Sequence, residues 1–290
     1  MTIPARHDSL FKFTFSKAEN AASAIAAVLP QSIAQHVDFD AFELQPGSFV
    51  DVELKNRHTD LLYRTRLHGG RGDAFVHILF EHQSSPDPTM PLRMLGYMVR
   101  IWWAFLRDNP GAKLPPIVPV VLYHGTQPWT VPTSMAEMYS DEVDLEDFGA
   151  LLPAAKFIVD DLSAVSDDAL RARAMTGMAH LALGTLKHIH NSQAVMTNLL
   201  DSMQALLEVW EAPDGLRAIE VLTRYILTNN DVAEQAVGDT LGKVLGDKAR
   251  EVAMTTAQRL YEEGEERGLQ RGREEGEERG LQRGREEERR

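Results

Sequence analysis

Cysteine is absent from all 290 residues. Its absence excludes disulfides and thiolate metal sites, and it fits a reducing compartment. Long apolar runs are missing too. No stretch approaches the roughly 18 apolar residues of a membrane span, and the longest are broken by Arg, Pro or Gly. The opening MTIPARHDSLFKF lacks the apolar core of a secretory signal. These absences give the expectation of a soluble, cytoplasmic protein with no membrane partner. Positive charge is also scarce: 30 Lys and Arg stand against 43 Asp and Glu, for a net charge of -13. That balance argues against a generic nucleic-acid clamp, because phosphate binding draws on clustered cations. Locally the picture differs, since Arg64, Arg66, His68, Arg71, Arg93 and Arg100 fall in one segment.

With 43% hydrophobic residues the chain can bury a substantial core. KAENAASAIAAV, from Lys17 to Val28, is rich in helix formers and is stopped by Pro30. FELQP, Phe42 to Pro46, is a short candidate strand. LLYRTRL (Leu61 to Leu67) and the run from Ala74 to Gln83 flank the turn-rich HGGRGD and read as a β-hairpin. Between Thr89 and Asp108, Met90, Met94, Met98, Ile101, Trp102, Phe105 and Leu106 recur at helical spacing. Ile117 to Gly125, IVPVVLYHG, has the Val-rich character of a buried strand, and KFIVDDL at Lys156 to Leu162 suggests an edge strand. The order is helix, three strands, helix, strand: an α/β sandwich with a mixed sheet.

From about Ser166 to Lys248 the pattern becomes helical. The chain then ends in a repeat, EEGEERGLQRGR, at Glu262 to Arg273 and again at Glu274 to Arg285. Glycines fall at every fourth position from Gly264 to Gly284, and 11 Glu stand against 8 Arg from Glu262 onward. Each helical Gly costs roughly 1 kcal/mol against Ala, partly offset by Glu–Arg pairs. The tail therefore reads either as a solvated, partly disordered segment or as a helix for self-association into a homo-oligomer. The expected organisation is a first domain over 1–165, a helical region over 166–248 and a charged tail over 249–290, helical or disordered.

The chemistry concentrates in FVHILFEHQSSPD, Phe75 to Asp87, where an apolar strand ends on a carboxylate and an amide two residues apart. Side chains two apart in a strand share a face, so Glu81 and Gln83 point one way and His82 the other. Pairing Leu67 with Ala74 across HGGRGD sets Asp60 opposite Glu81, within the roughly 4.5–5.5 Å of cross-strand Cβ atoms. Two facing carboxylates repel unless something positive lies between them. A divalent cation with oxygen ligands is the simplest such partner, and Asp plus Glu suits Mg2+ or Mn2+. Gln83 beside them would hydrogen-bond and orient a metal-bound water, an arrangement that suits metal-assisted phosphodiester hydrolysis. Arg93 and Arg100, with Tyr97 between them, are expected to line one polar face of the following helix. His124 follows the last core strand, and His188 and His190 face different sides of a helix. Trp102 is expected in the core, and Asp160 and Asp161 at a strand end or turn.

The ordered set HDSLFKFTF, SFVDVELKNRHTDLLYRTRL, FVHILFEHQSSPD, MPLRMLGYM and IVPVVLYHG resembles the recombination-promoting nucleases, also called the YhgA-like or Rpn family, of the PD-(D/E)xK superfamily. The resemblance is strong over about residues 5 to 165, and the helical part and tail are similar to the family's looser C-terminal half. It implies a restriction-endonuclease-like αβββαβ core with a mixed sheet, followed by a helical C-terminal region. It further implies a Mg2+-dependent DNA endonuclease, tied to recombination, mobile elements or phage defence. Asp60 in HTDLLY matches the metal-binding Asp, Glu81 the Glu of E-x-K, and Gln83 stands in the Lys position. A neutral amide there replaces a charge. Lys12, Arg93 and Arg100 are expected as DNA or phosphate contacts, and His7, Asp8 and Lys12 of the resemblance's N-terminal motif either to touch DNA or to cap the first helix. The competing reading, from Gln83 and the acidic pI, is a non-catalytic DNA-binding or assembly protein that keeps the nuclease fold.

Overall fold

The computed structural model describes residues 8–45, 61–68, 75–142 and 144–288. Its N-terminal helices are α1 (Asp8–Phe15), α2 (Ala18–Ala26) and the single turn α3 (Gln31–Ala34). A sheet follows, built from β1 (Glu43–Leu44), β2 (Leu61–Arg66), β3 (Phe75–Gln83), β4 (Ile117–Tyr123) and β5 (Ile158–Asp161). The strands lie side by side in chain order. β1, β2 and β3 pair antiparallel, whereas β3 with β4 and β4 with β5 pair parallel. The sheet is mixed, as expected, and β5 is an edge.

The register of the hairpin strands follows from the sequence reading. Leu61 lies opposite Phe80 and Arg66 opposite Phe75, the pairing obtained by matching Leu67 with Ala74. Helix α4 (Met90–Asp108) carries the chain from β3 to the parallel strand β4, as a parallel pair requires a crossover. Its methionines face the sheet: Met90, Met94, Tyr97 and Ile101 are buried with Leu62, Ile117, Val121 and Phe157. Trp102 packs at the margin of this cluster and donates its indole N–H to the Pro115 carbonyl at 2.8 Å.

The other face of the sheet belongs to a larger core. Tyr63, Ile78, Phe80, Val120 and Leu122 pack with Phe11 and Phe15 of α1 and Ile25 of α2. The same cluster continues into the helical region. That region comprises α6 (Asp167–Arg171), α7 (Gly177–His188), α8 (Ser192–Asp201), α9 (Met203–Glu211), α10 (Gly215–Asn229) and α11 (Glu234–Leu245), after a single turn α5 at Leu145–Phe148. Its starts are written in the sequence. Ser166, Thr176 and Asn191 accept hydrogen bonds from Ala169, Ala179 and Ala194, satisfying otherwise orphaned first-turn N–H groups. Asp160 at the end of β5 forms a two-nitrogen fork with Arg173, at 2.7 and 2.8 Å. Asp161 holds the turn after it by accepting from Ser163 and from the backbone of Trp129.

The repeat tail is helical. Helix α12 (Asp247–Glu288) starts inside the core, with Ala249, Ala253, Thr256 and Ala257 buried against α10 and α11. From Gly264 to Glu275 it is exposed, and nothing lies within 4 Å of where a side chain on Gly264, Gly268 or Gly272 would begin. Arg267–Glu263 and Arg279–Glu275 pairs run along it at i, i+4. None of the described helices is long and apolar enough to cross a membrane.

Candidate active site

Strand β3 places Glu81 on the α4 face of the sheet, beside Val121 of β4. Its carboxylate is fully buried, with none of its surface exposed. A buried charge needs compensation, because desolvation disfavours the ionised form. The compensation comes from two sides. Gln83, on the same face as expected, donates its amide N–H to Glu81 Oε1 at 2.6 Å. Arg93 of α4 donates from Nη2 to the same oxygen at 2.7 Å.

Arg93 does not serve Glu81 alone. Its other terminal nitrogen donates to Asp87 Oδ2 at 2.7 Å, so one guanidinium bridges two carboxylates. Asp87 is held in turn from the start of α4: its Oδ1 accepts from the Thr89 N–H at 2.8 Å and the Thr89 hydroxyl at 2.7 Å. Partial burial acts to raise the Asp87 pKa, but the bonds from Thr89 and Arg93 outweigh it and hold the carboxyl below its usual range. For Arg93, burial acts to lower the pKa, and contacts with Tyr97 and Asp87 more than restore it. The guanidinium stays charged.

A depressed carboxyl pKa contributes stability above the unfolded value, and the contribution is lost as pH falls through the folded value. Asp87→Asn is therefore expected to lower the melting temperature at neutral pH. The difference from wild type should shrink as pH drops below about 4. Thermal melts across that range check it.

The remaining expected residues distribute as follows. Asp60 lies outside the described residues, as do Arg71 and His7. Arg100 is exposed on α4, seven residues and so about 10 Å along the helix from Arg93. Tyr97 corrects the expectation of a polar face: it is buried in the α4 core cluster. Its ring faces the sheet because it shares the stripe of Met90, Met94 and Ile101; its hydroxyl accepts from Arg93 Nη2 at 3.4 Å, and the guanidinium lies 6.0 Å from the ring centroid. Lys12 is exposed on α1, which packs on the opposite face of the sheet from Glu81, where Phe11 stacks on His82 at 4.8 Å.

That opposite face carries a feature the sequence did not suggest. His82, His124 and His190 stack in a near-parallel column, with centroid separations of 4.6 and 6.4 Å. His124 thus borders β3 from behind the sheet, and His188 turns away to pair with Asp167 at 3.0 Å. Gly125, next to His124, is required by close approach: a Cβ there would lie 2.0 Å from the Tyr123 hydroxyl. Asp87 is the site residue that sequence reasoning missed, although it lies in the same SSPD stretch.

Among the described residues no group of three His, Asp or Glu side chains is arranged to hold a metal ion. What they present is one rigidly placed, buried carboxylate with an amide beside it and a cation already on it. The carboxylate and the amide oxygen are hard donors of the kind Mg2+ and Mn2+ take.

Residues 5–217 match the family described as "Putative transposase, YhgA-like". The chain belongs to this family. It is 26% identical over 273 residues to the recombination-promoting nuclease RpnD of Escherichia coli O157:H7, covering 90% of this chain and 95% of the relative. It is 29% identical over 265 residues to the recombination-promoting nuclease RpnA of Escherichia coli (strain K12), covering 90% and 85%. It is 26% identical over 273 residues to a relative named as inactive, the recombination-promoting nuclease-like protein RpnE of the same strain, covering 93% and 86%. No solved structure matches the chain.

Proposed function

We propose that this chain is a metal-dependent DNA endonuclease with a restriction-endonuclease-like core, in which Asp60 and Glu81 hold Mg2+ or Mn2+. The observation that carries the reading is the buried Glu81 carboxylate at the end of β3, with Gln83 bonded to it. Supporting it are the nuclease names of the relatives and the hairpin register that the Asp60–Glu81 pairing requires. A divalent ion held by Asp60 and Glu81 would supply charge to the scissile phosphate and lower the pKa of the attacking water. The protein's own groups do the rest. Glu81 is held still by the sheet, so its oxygen is pre-positioned. Gln83 commits its N–H to Glu81, which leaves its amide oxygen as an acceptor for a water proton. Arg93 and Arg100 place positive charge on the α4 side, where phosphate oxygens need it.

The test is cleavage of supercoiled plasmid by purified protein. Nicking is expected with Mg2+ or Mn2+ and none with a chelator; equal nicking in both would remove the metal from the account. A second reading, a non-catalytic DNA-binding or assembly protein of the same fold, draws on Gln83 in the lysine position and on the relative named as inactive. It predicts DNA retention in a mobility-shift assay with no hydrolysis under Mg2+, Mn2+ or Ca2+.

A further inference from the structure

We propose that Arg93 is a resident counter-cation that yields Glu81 to the incoming divalent ion and stays tethered to Asp87. This role presupposes the divalent site at Glu81. Three features of the geometry lead to it. First, Arg93 uses separate nitrogens for separate carboxylates: Nη2 meets Glu81 Oε1 at 2.7 Å and Nη1 meets Asp87 Oδ2 at 2.7 Å. One arm can therefore release without the other. A two-nitrogen fork onto a single carboxylate, as Arg173 makes with Asp160, has no such freedom.

Second, the two anchors differ in kind. Glu81 is fully buried in the sheet and already accepts from Gln83 through the same oxygen. A divalent ion bound there would share that carboxylate with a guanidinium, and like charges on one carboxylate repel. Asp87 is partly exposed and is fixed independently by Thr89 through its other oxygen. It remains in place whatever occupies Glu81. Third, Arg93 is one-fifth exposed, so its released arm has a way to water. With Nη1 on Asp87, the freed Nη2 is a charged donor for a phosphate oxygen. Arg93 is thus a positioning residue that keeps Glu81 compensated in the metal-free protein and becomes available to substrate when the ion binds.

The direct test labels arginines of the wild-type protein with phenylglyoxal and maps the sites by peptide mass spectrometry, with Ca2+ as probe and no DNA. Calorimetry in parallel reports whether Ca2+ binds. Ca2+ is expected to speed modification of Arg93 several-fold while leaving Arg100, exposed on the same helix, unchanged. Glu81→Gln is expected to modify quickly at Arg93 without Ca2+ and to show no response to it. If Ca2+ binds and the Arg93 rate stays the same or falls, the counter-cation role is wrong and the metal site stands. If wild type binds no Ca2+, or Glu81→Gln binds it equally well, the metal site fails and this role with it. Arg93→Gln adds a readout through affinity: tighter Ca2+ binding than wild type supports the role, and equal or weaker binding overturns it.

Discussion

Glu81→Gln is expected to reduce metal-dependent plasmid nicking by more than about 100-fold, since losing even an outer partner of a metal ligand costs about 10–100-fold. The substitution keeps the size and hydrogen-bonding shape of the side chain and removes only its charge. Glu81 is fully buried between the sheet and α4, so a change of volume there would confuse loss of function with loss of packing. Glutamine avoids that. The effect should appear in the rate at saturating metal as well as in the metal concentration needed, because in the proposed site the carboxylate would both hold the ion and fix its position. Substituting Gln83 should cost less, as it contributes a neutral dipole that solvent water partly replaces. A Glu81→Gln protein with wild-type nicking would remove Glu81 from the chemistry.

Arg93→Ala should destabilise the metal-free protein by about 3 kcal/mol, the low end of the cost of removing one partner from a buried ion pair. The low end applies because Arg93 itself is one-fifth exposed. For a chain of this size that corresponds to a fall of roughly 5 °C in melting temperature. The loss has a specific cause: Glu81 would keep its burial and its bond to Gln83 but lose its counter-charge. The double variant Glu81→Gln, Arg93→Gln separates this cause from simple loss of packing. With neither charge present it should be more stable than Arg93→Gln alone, since replacing both members of a buried pair is often nearly neutral. A double variant that melts lower than either single one would mean that the pair itself does not govern stability here.

How far the fold could be read from the sequence depended on how local the signal was. The hairpin register follows from strand periodicity plus one turn, and the pairs from Leu61–Phe80 to Arg66–Phe75 agree with it. The methionine stripe found the buried face of α4, and the Val-rich run found β4. Tyr97 was misplaced because an aromatic with a polar tip fits either side of a helix, and its burial depends on how α4 rotates onto the sheet. The Arg93 bridge was invisible for a different reason. It joins β3, the turn at Asp87 and α4, and no periodicity encodes how a turn delivers a carboxylate. The histidine column likewise draws on β3, β4 and the turn after α7. Contacts of such long range emerge only once the sheet is assembled. In the tail, the glycine spacing left helix and disorder open, and α12 resolves it as helix through Glu288.

Glu81 is proposed as one half of a divalent-metal site whose other half is Asp60. A Mg2+ and Mn2+ titration of supercoiled-plasmid nicking, run side by side on wild type and Asp60→Ala, tests it most directly. Metal-dependent nicking is expected from wild type, and none above background from Asp60→Ala at any metal concentration. Equal nicking by the two proteins would contradict it.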